Sequence, residues 1–146
     1  MSTVQAILNR KQGPRVVSIR EDASVLDAAR IMNENRIGAV VVTRGETVVG
    51  IFTERDILCR VVAAQADPAK TTIGNVMTSP VACCTPETTR HECQAVMRAK
   101  RLRHLPVVAD GRLVGMISIG DLNDASQEEQ EQTISYLHEY LYGEWK

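Results

Sequence analysis

Residues 50–56 (GIFTERD) and residues 115–121 (GMISIGD) are two copies of one pattern: a glycine, two apolar residues, a hydroxyl residue and, three positions later, an aspartate. A hydroxyl followed at that distance by a carboxylate is typical of a helix N-terminus, where each side chain accepts a hydrogen bond from the other residue's backbone. The pattern therefore predicts, twice, a strand that ends at Thr53 or Ser118 and leads into a helix.

The two motifs belong to a longer internal repeat. Residues 16–60 align with residues 81–125 without a gap, and seven of the 45 aligned positions are identical. Such self-similarity marks a structural unit used more than once. In each copy, apolar spacing and turn residues predict the order β-α-β-β-α. The first helix is expected to start near Ser24 in the first copy. In the second copy it is expected near Thr85 and Pro86, because proline is favoured in a first helical turn.

The size of each copy indicates how the two copies are arranged. Units of roughly 45–60 residues are marginal on their own. We therefore predict an α/β (α+β) fold in which both copies pack as a pseudo-twofold module with two related clefts. The predicted boundaries are residues 3–62 (first repeat with a lead-in), 63–71 (linker), 72–125 (second repeat with a lead-in) and 126–146 (C-terminal helical tail).

The C-terminal tail differs from the rest of the chain in charge and composition. Residues 1–120 carry 16 Lys/Arg against 11 Asp/Glu, whereas residues 121–146 carry 1 against 7. Apolar Ile134, Leu137 and Leu141 predict one helix face, and four of the five aromatic residues lie in the last eleven positions. Two interpretations stay open: the helix packs on the module or across a dimer, or its aromatic side chains dock another protein.

Overall composition indicates an ordinary globular protein. The chain has 146 residues, 44% hydrophobic and 24% charged, so disorder is not expected. Apolar runs such as residues 39–42 are far shorter than the ~20 residues of a membrane-spanning helix. Residues 1–9 carry no secretory signal pattern. The basic run at residues 98–104 lacks the interleaved aromatic residues of nucleic-acid binders. We therefore expect a cytoplasmic protein that binds neither membrane nor nucleic acid.

Catalytic and metal chemistry find little support in the residues. The four cysteines include no Cys-x-x-Cys pair, which disfavours a zinc site, and buried reduced thiols are expected. The three histidines are isolated, and no nucleophile motif or glycine-rich phosphate loop occurs. We therefore predict no enzyme activity, no catalytic residue, no metal and no catalytic cofactor.

The repeated motif also has a reading as a binding site. A strand that delivers a hydroxyl and free backbone N–H groups to a helix start is favourable for phosphate oxygens. A nearby carboxylate can accept hydrogen bonds from both hydroxyls of a ribose. The alternative is that each hydroxyl–carboxylate pair only caps its helix. The occurrence of the pattern in both repeats adds weight to the interpretation as a binding site, and both interpretations stay open at this point.

Taken together, the two β-α-β-β-α copies and their closing motifs resemble a tandem pair of CBS domains, the Bateman module, over roughly residues 3–125. This resemblance implies a regulatory sensor of adenosyl ligands such as AMP, ADP, ATP, NAD(H) or S-adenosylmethionine. The ligand would act as an effector in the clefts between the repeats. The resemblance also implies a homodimer, and a regulated protein partner would read the occupancy.

The resemblance assigns residues to the two clefts, with Asp121 and Asp56 holding ribose and Ser118 and Thr53 contacting phosphate. Cleft one, beside Asp121, would be walled by Arg15, Val16, Val17, Gly38 and Ala39. Cleft two, beside Asp56, would use Thr78, Pro80, Val81, Arg103, His104 and Leu105, with Arg103, His104 and Arg55 reaching phosphate.

The two clefts are not expected to be equivalent. Gly120 stands where the first motif has Arg55, and Gly38 and Ala39 stand where the second repeat has Arg103 and His104. One cleft is therefore expected to bind less well. Two alternatives to the sensor remain: a ligand-free scaffold dimer whose tail recruits a partner, and a redox responder that uses the thiols of residues 83, 84 and 93.

Overall fold

The computed structural model describes residues 2–11, 16–128 and 130, and it confirms a mixed α and β fold made of two similar units. The first unit contains helix α1 (Val4–Arg10), strand β1 (Ser18–Arg20), helix α2 (Val25–Asn35), strands β2 (Ala39–Arg44) and β3 (Thr47–Thr53), and helix α3 (Glu54–Asp56), which continues as a π-helical segment (Ile57–Val62). The second unit contains helices α4 (Ile73–Val76) and α5 (Arg90–Lys100), strands β4 (His104–Ala109) and β5 (Arg112–Ser118), and helical residues 119–128.

The strands form two small sheets with the same irregularity. Strand β1 is parallel to β2, β2 is antiparallel to β3, and β4 is antiparallel to β5. The register shifts directly after Val42 in one sheet and directly after Val107 in the other. These are equivalent positions of the repeat. In the described part of the second unit, the first strand of the predicted β-α-β-β-α order is reduced to one parallel bridge, between Cys84 and Val107.

Helices α2 and α5 begin and end at equivalent residues. The hydroxyls of Ser24 and Thr89 accept hydrogen bonds from the backbone of the third residue on, and Arg36 and Arg101 end the helices in the left-handed conformation. The second helix therefore starts four residues after the predicted Pro86. The reason is that Thr88 donates its backbone N–H to the carbonyl of Thr85 and closes a turn there, which leaves the cap to Thr89.

The two hydrophobic cores exchange their lead-in helices. Helix α1 places Val4 and Ile7 in a core with Leu105, Ile117 and other residues of the second repeat. Helix α4 correspondingly packs residues 73 and 76 into the core of the first repeat. The sequence grouped each lead-in with the repeat that follows it, whereas the structure packs each lead-in helix on the other repeat.

Backbone hydrogen bonds fix this exchange at equivalent positions. The amide of Val4 donates to the carbonyl of Thr88 over 2.8 Å, and the amide of Ile73 donates to that of Ala23 over 2.9 Å. Neither repeat completes its core without a segment from the other repeat, so the two repeats form one cooperative unit.

At the end of the second unit, Arg10 of α1 forms an exposed ion pair with Glu128. The tail residues that carry the predicted apolar helix face and the aromatic side chains, residues 131–146, lie outside the described part of the chain. Within the described residues, every helix is too short or too polar to cross a bilayer.

Candidate functional site

Both repeated motifs form the predicted helix caps. The side chain of Thr53 accepts a hydrogen bond from the amide of Asp56 over 3.3 Å, and Asp56 Oδ2 accepts one from the amide of Thr53 over 3.0 Å. Ser118 and Asp121 repeat this pair at 3.1 Å and 2.8 Å. The capping role that the sequence offered as an alternative is therefore present at both motifs, whatever else the carboxylates do.

Asp56 has a second connection, to the other repeat. Its Oδ1 accepts a hydrogen bond from Thr78 Oγ1 over 3.0 Å, and Arg60 Nε lies 3.8 Å from the same oxygen. Thr78 follows the lead-in helix α4 and pairs through its backbone with Ile51 of strand β3. Only 6% of Asp56 is exposed. These contacts hold a buried carboxylate at the place where the two repeats meet.

Asp121 is held differently, by a lysine that the sequence analysis did not single out. Lys11 Nζ lies 3.0 Å from Asp121 Oδ2 and donates to the carbonyl oxygen of Met116 over 2.9 Å. Among the described residues, the other carboxylate oxygen of Asp121 accepts no hydrogen bond. In cleft one the motif carboxylate therefore lies next to a cation that neutralises part of its charge.

A cavity of about 300 Å³ lies in cleft two. Its walls come from both repeats: Ile51, Thr78, Pro80, Val81, Ala82, Lys100, Leu102 and His104. The sequence predicted four of these residues: Thr78, Pro80, Val81 and His104. Ligand pockets in proteins start at about this volume and are mostly apolar with a few polar groups. Five of the eight wall residues are apolar, and the other three carry polar groups.

His104 lines cleft two and also interacts electrostatically with Asp121 and Lys11 of cleft one. Its side chain is half-buried, and burial is the main reason why its pKa lies below the ordinary value of 6.5. The negative charges of Asp121 and Glu54 oppose this shift, and the positive charges of Lys11 and Arg103 add to it. At neutral pH the ring is therefore uncharged, and it can donate or accept a hydrogen bond in the cavity.

Three other residues predicted for cleft two do not line the cavity: Leu105, Arg103 and Arg55. The side chain of Leu105 is 1% exposed and belongs to the core of the second repeat, so it does not line the cavity. Arg103 and Arg55 are exposed and are not among the residues that line the cavity. Arg103 contributes its backbone carbonyl, which accepts a hydrogen bond from the amide of Ile119.

The predicted walls of cleft one are only partly assembled in the described residues. Val16 and Val17 are half-buried, and Val17 packs against the core of the first repeat. Ala39 is buried in strand β2. Gly38 lies under the carboxylate of Glu54, and Arg15 lies outside the described residues.

Sequence reasoning missed six residues of the site: Lys11, Ile51, Glu54, Ala82, Lys100 and Leu102. Ile51, Ala82 and Leu102 directly neighbour predicted positions or motif residues, so the motif could have indicated them. No local pattern could have indicated Lys11, because its partner Asp121 is brought to it by the exchange of α1 between the repeats.

The described thiols differ in how well they suit the redox alternative. Cys84 and Cys93 are buried, and the hydrogen bond between them raises the pKa of Cys84, with burial adding to the shift, and lowers the pKa of Cys93. Burial also raises the pKa of the more exposed Cys83 thiol. A raised pKa lowers the fraction of thiolate, which is the reactive form.

Two similar units that exchange their lead-in helices and share a cleft define a duplicated two-domain module. The sequence model of the CBS domain matches residues 7–63 and 73–128. The chain therefore belongs to the CBS domain family, as a tandem pair. Tandem CBS pairs are generally regulatory, ligand-binding modules.

Three similar proteins illustrate this membership. A structure described as a signal-transduction protein with CBS domains from Burkholderia ambifaria is 37% identical, covers 88% of this chain and 96% of its own, and has a TM-score of 0.83. The mitochondrial CBS domain-containing protein CBSX3 of Arabidopsis thaliana is 35% identical over 127 residues; the match covers 84% of this chain and 62% of that protein. The hexameric CBS-CP12 protein of bloom-forming cyanobacteria is 29% identical, with 84% and 69% covered and a TM-score of 0.74.

Proposed function

We propose that the protein is a regulatory module that binds an adenosyl ligand, namely an adenine nucleotide such as AMP, ATP or NAD(H), in cleft two. The observation that carries the proposal is the cavity of about 300 Å³, whose walls come from both repeats and whose Thr78 hydroxyl is hydrogen-bonded to the motif carboxylate of Asp56. A ligand there would touch the strand of one repeat and the lead-in of the other.

The walls of the cavity suit the parts of a nucleotide. Five of its eight residues are apolar and offer a surface for the flat adenine ring. The polar residues are Thr78, Lys100 and His104, which supply a hydroxyl, a cation and an imidazole. Asp56 lies directly behind Thr78, and a small rotation of that hydroxyl would open one carboxylate oxygen to ribose.

Occupancy would act through the relative position of the repeats. Because the cavity is shared, a ligand binds best to the arrangement in which both walls approach it, and it shifts the population toward that arrangement. A partner protein that recognises this arrangement would then read the occupancy. No covalent chemistry is needed for such a signal.

Self-association is part of this proposal. Leu58 and Val62 lie one helical turn apart on the π-helical segment, and each is 62% exposed. An exposed apolar pair of this kind suits a second copy of the chain. We propose a homodimer; the related CBS-CP12 protein is described as a hexamer. Light scattering of Leu58→Glu should show a loss of the dimer, and an unchanged mass would refute the role of this surface.

The cytoplasmic location expected from the sequence stays a proposal, which fractionation of the source cells would test. CBSX3, a related protein, is described as mitochondrial.

A thermal-shift and calorimetry panel of AMP, ADP, ATP, NAD⁺, NADH and S-adenosylmethionine tests the function. A ligand at 100 times its Kd stabilises the native state by about 2.7 kcal/mol, which raises Tm by roughly 5–10 °C in a domain of this size. Val81→Tyr fills the cavity and should abolish the shift. Val16→Tyr, the equivalent substitution in cleft one, is the matched control and should leave the shift in place.

Two outcomes would contradict the proposal. If no ligand shifts Tm at millimolar concentration, the adenosyl function is wrong and the ligand-free scaffold is favoured. If Val16→Tyr abolishes the shift and Val81→Tyr leaves it unchanged, the ligand binds in cleft one.

A further inference from the structure

The wall of cleft two carries a positive charge that no other described group neutralises. Lys100 lines the cavity at the end of helix α5, and Arg98, Arg101 and Arg103 lie beside it in the chain. Within the described residues, ion pairs are formed by other basic side chains, and none of these four lies within 4.0 Å of a carboxylate. Such a charge attracts an anion into the cavity.

A helix C-terminus also attracts cations, so charge alone does not make Lys100 a ligand. The second observation is its place in the cavity: among the four basic residues of this run, Lys100 is the one that forms part of the wall. Lys100 and His104 line the same cavity. A compact point charge on a flexible stem is well suited to a phosphate group.

The first repeat lacks this charge at the equivalent position. Asn35 occupies the place of Lys100, and its amide donates to the carbonyl of Ile31 over 2.8 Å. Gly38 and Ala39 occupy the places of Arg103 and His104. The carboxylate of Glu54 covers Gly38, since a Cβ there would lie 3.3 Å from its Cδ. The positive charges of Lys100 and Arg103 therefore have no counterpart at the equivalent positions of the first repeat.

Building on the proposed function, we infer that Lys100 is the specificity-determining residue that makes cleft two select a phosphorylated adenosine over adenosine and over cationic adenosyl compounds. The ammonium group would contact the phosphate, with the hydroxyl of Thr78 toward the ribose. Cleft one, with Asn35 and Glu54, does not share this selectivity.

The charge of the ligand sets the size of the effect. A hydrogen bond between a cation and a phosphate in a partly enclosed site contributes more than a neutral one, and its loss weakens binding roughly tenfold to hundredfold. Adenosine has no phosphate, so its affinity should not depend on Lys100. Because the ammonium group is exposed, the preference for AMP should also shrink as salt rises from about 0.05 M to 0.5 M.

Calorimetry with AMP, adenosine and S-adenosylmethionine tests the inference on four proteins: wild type, Lys100→Met, Lys100→Arg and Arg98→Met. Lys100→Met keeps the length of the stem and removes the charge. We expect it to weaken AMP roughly tenfold to hundredfold and to leave adenosine unchanged. Lys100→Arg should retain the preference for AMP. Arg98→Met, which removes a neighbouring charge outside the cavity wall, should bind both as wild type does.

The outcomes separate this inference from the proposed function. If wild type binds AMP and Lys100→Met binds it equally well, or weakens AMP and adenosine by the same factor, the role of Lys100 is wrong while the nucleotide site stands. If Arg98→Met weakens AMP as much as Lys100→Met does, the effect belongs to the general field of the basic run, and the specific role is again refuted. If wild type binds none of the three compounds, the proposed function itself fails.

Discussion

Replacing Gly50 with alanine should destabilise the protein far more than the same change at the equivalent Gly115. A Cβ at Gly50 would lie 2.5 Å from Met77 Sδ and 2.9 Å from the backbone carbonyl oxygen of Thr78. At Gly115 it would lie 2.8 Å from both terminal methyl groups of Leu8, and its three nearest atoms all belong to that side chain. Both glycines have backbone angles open to alanine. The difference therefore comes from the neighbour that must move.

The magnitude follows from these contacts. Methyl ends of a leucine can turn away, whereas the carbonyl of Thr78 is held by its pairing with Ile51. Overpacking against rigid neighbours costs about 1–3 kcal/mol. Alanine also lowers the conformational entropy of the unfolded chain, which stabilises the folded state by about 0.4–1 kcal/mol and offsets part of this cost. The net loss should be about 1–2 kcal/mol for Gly50→Ala and below about 1 kcal/mol for Gly115→Ala.

Urea unfolding of both variants measures this difference, and a thermal scan should show Tm about 3–6 °C lower for Gly50→Ala. Adding Met77→Ala removes the sulfur contact, so a double-mutant cycle should show that part of the loss is recovered, by about 0.5 kcal/mol or more. Equal losses for the two glycine variants, or a larger loss for Gly115→Ala, would refute the argument from rigid backbone.

Three further predictions concern charged and titrating groups. Asp56→Ala should lower the free energy of unfolding by about 1–3 kcal/mol, because it leaves buried donors without their acceptor; a loss below that of Asp121→Ala in urea unfolding would contradict it. Lys11→Met should change stability by less than about 1 kcal/mol, since the Lys11 side chain is 40% exposed and water screens its ion pair; a much larger loss would show that its ion pair is structural. The pKa of His104 is lowered in the fold from 6.5, so the unfolded chain binds the proton first as pH falls. The contribution of the uncharged His104 ring to stability is therefore fully present above the unfolded pKa of 6.5 and is lost as pH falls below it. His104→Gln should flatten this decline in urea unfolding as pH falls below about 6.5; an unchanged decline would contradict the role of His104.

The sequence indicated that the two clefts differ in chemical character, because that difference lies in the identities of their residues. The motif predicts its capping geometry from four consecutive positions, and the structure confirms it at Thr53 and at Ser118. The chemical contrast between residues 38–39 and residues 103–104 could likewise be read directly. The structure adds the cavity wall itself, in which Lys100 lies and the side chain of Leu105 does not.

The start of helix α5 shows the limit of local patterns. Both Pro86 and Thr89 are good starting residues for a helix, and the sequence pattern favoured the proline. The repeat offset would have chosen correctly, since Thr89 is the equivalent of Ser24. Comparison between the two repeats was thus more reliable here than helix preference within one of them.

The sequence by itself determined the duplication, the order of elements and the position of both motifs, because each depends on neighbouring residues or on a fixed offset along the chain. Only the tertiary structure decided that α1 completes the core of the second repeat and α4 that of the first. A short apolar helix carries no local mark of its partner, and either repeat offers it a similar surface. That exchange brings Lys11 to Asp121 and Thr78 to Asp56, so the polar contacts across both clefts follow from packing over long distances in sequence.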